Sequence, residues 1–75
     1  MKFIEMTGKT LAAIVSDDEL GKVDLEAAGV HDMSIVRVNE HGDIEVRRPD
    51  CWDVVGGLLG DYNERIPKQT GLHWV

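Results

Sequence analysis

The sequence predicts an α+β fold over residues 1–75, a single small domain in which two β-hairpins form a small, mainly antiparallel sheet and one long C-terminal helix packs across it. Three observations carry that expectation. The runs "MSIVRV" and "DIEVRR" alternate apolar and polar residues and are joined by "NEHG", a polar loop ending in glycine. The opening "MKFIEMTGKTLAAIV" divides at Thr7-Gly8 into two largely apolar arms. Beyond Pro49, Trp52, Val55, Leu59, Tyr62 and Ile66 recur at spacings of three and four, the signature of one helix face.

In chain order, Lys2–Met6 and Lys9–Val15 read as the arms of the first hairpin, with Thr7-Gly8 as its tight turn. The second arm holds two alanines, which are poor strand formers. Ser16-Asp17-Asp18-Glu19 breaks the apolar pattern and suits a loop or a capped helix start. "DLEAAG" reads as one helical turn with Asp24 as cap and Gly29 as stop. In the second hairpin Val36 and Val38 should meet Ile44 and Val46, leaving Arg37 beside Glu45 and Arg47 on the outer face. Asp50 is a good N-cap for the long helix, and Pro67 should end or kink it. The expected core is Phe3 or Ile4, Leu11, Ile14, Val36, Val38, Ile44, Val46, Trp52, Val55, Leu59 and Tyr62.

The stretch "RRPDCWDVVGGLLGDY" poses a difficulty for a helix. Gly56, Gly57 and Gly60 each cost a helix about 1 kcal/mol against alanine. On the helical reading Gly56 and Gly60 border the apolar stripe, and small residues at that spacing let another backbone approach closely. Trp52, Gly56, Leu59 and Gly60 are therefore expected to form a helix-packing interface, with the same helix of a second copy preferred over the protein's own sheet.

With 75 residues the chain is near the size at which one core is barely adequate, which favours association with a partner. Fourteen acidic residues against eight basic ones disfavour a general nucleic-acid or anionic-membrane binder, while leaving room for a local basic spot. Cys51 is the only cysteine, so no intrachain disulfide forms and a cytoplasmic location is expected. The start does not read as a signal peptide, and the apolar runs are far shorter than the ~20 residues of a membrane helix.

Few residues carry chemistry. "TGKT" at residues 7–10 matches the end of a phosphate-binding loop, but Phe3 stands where that motif needs its first glycine. His31, His41 and His73 share no short ligand spacing with each other or with Cys51, so no metal, cofactor or catalytic residue is assigned. Arg37, Arg47 and Arg48 are the basic concentration; they either pair charges on an exposed sheet face or grip a carboxylate or phosphate. With Trp74, near the chain end, they are the candidate partner-binding residues.

Two stretches resemble known families. "VRVNEHGDIEVRRP", from Val36 to Pro49, looks like the strand–turn–strand of AbrB-type transition regulators and MazE-like antitoxins, with Gly42 in the turn and Ile44 and Val46 after it. That resemblance implies a swapped-hairpin dimer. Asp43 stands where those proteins commonly carry a basic residue. "MKFIEMTGKTLAAIV" is similar to the first hairpin of ubiquitin-like and sulfur-carrier β-grasp proteins. Such carriers end in Gly-Gly, whereas this chain ends in "HWV", and carrier activity is not implied.

The preferred functional expectation is a non-enzymatic protein-interaction module, acting as a homodimer or as a subunit of a larger complex. One alternative is a DNA-binding regulator or antitoxin that sets Arg37, Arg47 and Arg48 against phosphates. The other is a small enzyme whose site assembles at a subunit interface.

Overall fold

The computed structural model describes residues 1–15 and 22–75. The elements run β1 (Phe3–Thr7), α1 (Gly8–Ile14), α2 (Lys22–Ala27), β2 (Ile35–Asn39), β3 (Asp43–Arg47), β4 (Trp52–Gly57) and α3 (Tyr62–Thr70). The strands form one antiparallel sheet in the order β1-β2-β3-β4. This corrects the expected architecture of two hairpins under one long C-terminal helix. The Ser16-Asp17-Asp18-Glu19 expectation lies outside the described residues.

The first hairpin is not formed. Thr7 is the N-cap of α1, its hydroxyl accepting a hydrogen bond from the Thr10 N–H at 3.2 Å. Alanine favours the helix over a strand, and Leu11 and Ile14, three apart, turn to the core. The antiparallel partner of β1 is β2, so Ile4 meets Val38 and Met6 meets Val36. Gly8 is essential to this arrangement, because a Cβ there would overlap the carbonyl oxygen of His31.

The second hairpin has the expected register: Val36 opposite Val46, Arg37 opposite Glu45, Val38 opposite Ile44. Asn39 shapes its loop, its side-chain oxygen accepting from the N–H groups of His41 (2.9 Å) and Asp43 (3.1 Å). Gly42 takes the left-handed conformation at φ 88°, packed against Tyr62.

The expected long helix is divided in three. Pro49-Asp50 forms a two-residue loop closed by Arg48 N–H to Cys51 O at 2.8 Å, and residues 52–57 add a fourth strand. Trp52, Val54 and Val55 are aromatic and β-branched, and the glycines that penalise a helix tolerate a strand irregularity: the register with β3 shifts between Ile44 and Glu45. Gly60, at φ 74°, turns the chain into α3. Asp50 therefore sits in a hairpin loop rather than at a helix start.

Pro67 lies inside α3 instead of ending it. A helical residue here would donate to the carbonyl four residues back, that of Asn63. Trp74 supplies the missing donor, its indole N–H reaching Asn63 O at 3.1 Å.

Ile4, Met6, Val36, Val38, Ile44 and Val46 line one sheet face and pack with Leu11, Ile14, Leu25, Val30, Leu58 and Ile66 into one core. Of Phe3 and Ile4, Ile4 is the inward residue. Val55 and Tyr62 pack at the core's margin. Trp52 and Leu59 are not core residues: Trp52 is half-buried on the opposite face and Leu59 is 65% exposed.

Candidate functional site

The sheet face opposite the core carries the polar chemistry. Strand alternation and the observed registers place Glu5, Arg37, Glu45 and Val54 in one row across it, with Ile35, Arg47 and Trp52 beside them. Arg37 stands at the centre. Its guanidinium carbon lies 4.1 Å from the ring centroid of Phe3 and 4.1 Å from that of Trp52, and one of its terminal nitrogens donates to Glu45 Oε1 at 3.1 Å. Phe3 is on β1 and Trp52 on β4, so this stack spans the sheet from edge to edge. Aromatic faces and a carboxylate both stabilise the cation, which stays only 23% exposed.

Of the sequence-derived basic cluster, Arg37 and Arg47 share this face as expected, and Arg48 is drawn away from them. Arg37 is committed to its rings and to Glu45. Arg48 donates to Ala28 O at 2.8 Å, at the end of α2, and pairs with Asp53 at 3.3 Å. It thereby caps a helix C-terminus, where a cation is favoured. Arg47, opposite Trp52, is exposed with no ion-pair partner among the described residues. Trp74 is half-buried against the core with its N–H engaged, a structural placement rather than an open contact.

The proposed interface of Trp52, Gly56, Leu59 and Gly60 is not a helix face. Trp52 and Gly56 are on β4, and Leu59 and Gly60 are in the turn after it.

What the structure brings out instead is the contrast between the sheet's two edges. On β1, Phe3 N–H donates to Val75 O at 2.9 Å and Val75 N–H donates to Phe3 O at 3.0 Å, so Val75 pairs with the Phe3 end of that edge. β4 pairs with β3 on one side and with no other strand among the described residues. Antiparallel alternation, read outward from the Arg48–Cys51 closure, turns the backbone N–H and C=O of Trp52 and Val54 away from β3. Val54 is 61% exposed on that edge. Sequence reasoning missed Val54 because a period of 3.6 was imposed on a run whose β-branched residues and glycines also satisfy a period of two.

Other candidate sites resolve into structure. Thr7-Gly8-Lys9-Thr10 joins the last residue of β1 directly to the first turn of α1, and the N–H groups of Gly8, Lys9 and Thr10 are taken by Ser34 O, Asp32 O and Thr7 Oγ1. A cleft of about 520 Å³ between α1, α2 and the following loop has Leu25 and Val30 among its lining residues, with exposed His31 and Met33. Among the described residues, no group of three or more His, Cys, Asp or Glu side chains could hold a metal ion. No described helix is long and apolar enough to cross a membrane. No family model, no curated protein and no solved structure matches the chain.

Proposed function

We propose that the protein is a non-enzymatic interaction module that takes an extended segment of a partner as an added strand along β4. The observation that carries this reading is that β4 has no strand on its outer side among the described residues, where alternation turns the backbone of Trp52 and Val54 outward beside the exposed Val54 side chain, while the opposite edge is paired with Val75 at Phe3. An open edge presents a row of donors and acceptors that an extended chain satisfies, while alternate side-chain positions set specificity. Leu59, 65% exposed in the turn that follows, extends the apolar contact.

The DNA-binding alternative loses its main support because two of the three arginines are engaged: Arg48 caps α2 and Arg37 is enclosed by aromatic rings. A net charge of −6 weighs in the same direction.

Val54→Pro tests the strand-addition reading. The N–H it removes lies outside the β3–β4 ladder, and proline is tolerated on edge strands, so the fold should survive with a cooperative melt. Partner protein co-purifying with the wild type should be lost from the variant. Equal retention by both would place the contact elsewhere and overturn the reading.

A further inference from the structure

We infer that residues 72–75 act as an autoinhibitory strap, holding on β1 the place that β4 of a second copy takes once the strap is released. This rests on the reading of β4 as an open edge and adds a guarded docking edge on the other side of the sheet. The strap is tied at two points. Val75 exchanges both backbone hydrogen bonds with Phe3, at 2.9 and 3.0 Å, and the Trp74 indole N–H donates to Asn63 O at 3.1 Å. Gly71, left-handed at φ 75°, is the hinge at which it leaves α3. Trp74 packs at the core's margin, whereas Val75 is 84% exposed and Leu72 37%. The antiparallel register set by Val75 and Phe3 would bring His73 opposite Glu5, but no hydrogen bond joins them. A cleft of about 500 Å³ opens there instead, with Glu5, Arg37, Leu72 and His73 among its lining residues. β1 is therefore covered at Phe3 and open at Glu5, whose backbone alternation turns outward like that of Phe3.

β4 matches this edge in register and charge. Glu45 pairs with Val54 and Ile44 with Gly56, leaving Val55 as an extra residue that limits the regular outward row of β4 to Trp52 and Val54. On β1 the outward row is Phe3 and Glu5, followed by Thr7, which caps α1. Laid antiparallel on β1, a second copy's β4 sets Val54 opposite Phe3, where Val75 now sits. Trp52 then comes opposite Glu5, where the cleft now is. Exposed Arg47, cross-strand from Trp52, joins exposed Glu5 in one row, and neither has an ion-pair partner among the described residues. A two-fold β4–β4 pair using the same two outward residues would centre on Asp53 and set it directly against its copy, a destabilising like-charge pair. On β1, Asp53 falls opposite Ile4 instead. Because β4 and β1 are different edges, their contact is head-to-tail and open-ended.

Val75→Pro removes the N–H that reaches Phe3 O and should release the strap while the core keeps a cooperative melt. At low protein concentration, exchange of the Phe3 amide should quicken at least about tenfold. As concentration rises, sedimentation should show the variant growing into assemblies beyond a dimer, which the wild type does not form. Trp74→Phe keeps an aromatic ring and loses only the N–H to Asn63 O, so it should do the same to a smaller degree. Adding Val54→Pro to Val75→Pro should abolish growth by removing an outward N–H of β4. Assemblies that persist in the double variant would rule out β4 as the occupant. Growth that stops at a dimer, or no growth despite a freely exchanging Phe3 amide, would overturn the head-to-tail inference. Unchanged Phe3 protection in both single variants would overturn the strap itself. Each of these failures leaves strand addition at β4 standing, because partner retention by Val54→Pro with an intact strap decides that reading separately.

Discussion

The two faces of the sheet are held by different physics. On the inner face Ile4, Val36, Val38, Ile44 and Val46 are each at most 1% exposed, and the facing Leu11 and Ile66 are fully buried. Nothing there needs a directional partner; burial and close packing are sufficient. The outer face has no helix over it among the described residues. It is organised around one cation between two rings with one carboxylate alongside. The inner face spreads its stabilisation over many interchangeable contacts. The outer face concentrates it in a single stack that links β1 and β4 across the two central strands. The contrast teaches that a small sheet with helices on one side can still tie down its two edge strands.

The largest expected effect is on the inner face. Ile44→Ala deletes a fully buried side chain on a central strand and should cost about 2–5 kcal/mol, read as a fall in the urea midpoint at unchanged slope. A cost under about 1 kcal/mol would mean that the helices close over the gap, and that the inner face is looser than its burial implies.

The outer stack should respond less strongly but with coupling. Arg37→Met removes the cation from between the rings and leaves the Glu45 side chain, 12% exposed, without its partner. Breaking a fully buried pair costs roughly 3–5 kcal/mol; partial exposure here lowers the expectation to about 1–3 kcal/mol. Adding Glu45→Gln should restore part of the loss by removing the stranded charge, giving a clear coupling energy in a double-mutant cycle. Additive losses would show that the rings and the carboxylate act on Arg37 independently of one another.

Arg47 supplies the smallest effect and the sharpest control. It shares the outer face with Arg37 but is exposed and unpaired among the described residues, so Arg47→Ala should change stability by less than about 0.5 kcal/mol. Thermal melts of Arg47→Ala and Arg37→Met compared side by side distinguish a cation that builds the face from one that merely lies on it.

The central hairpin was legible from sequence because its signals are local. Alternation in "MSIVRV" and "DIEVRR" sets which side chains share a face, and Gly42 can take the left-handed conformation that the loop requires. The helical turn before Gly29 was legible for the same reason, although α2 begins at Lys22 and holds Asp24 inside its first turn rather than as its cap. The rest depended on partners distant in sequence. "KTLAAI" carries enough apolar residues for a strand or a helix; Thr7 as cap and the β1–β2 pairing decide for the helix. Trp52–Gly57 fits a period of 3.6 as well as a period of two, and only β3, offering an open ladder beyond a two-residue loop, selects the strand. The three arginines are neighbours in sequence or across one hairpin, yet alternation and the end of α2 separate Arg48 from the two on the outer face. Trp74 and Pro67 look unrelated until the fold sets an indole N–H against the carbonyl that proline leaves unpaired. Sequence by itself determined the elements whose stability comes from near neighbours. Tertiary structure decided the others, because an unpaired backbone and an ambiguous apolar run take whichever conformation the rest of the sheet can satisfy.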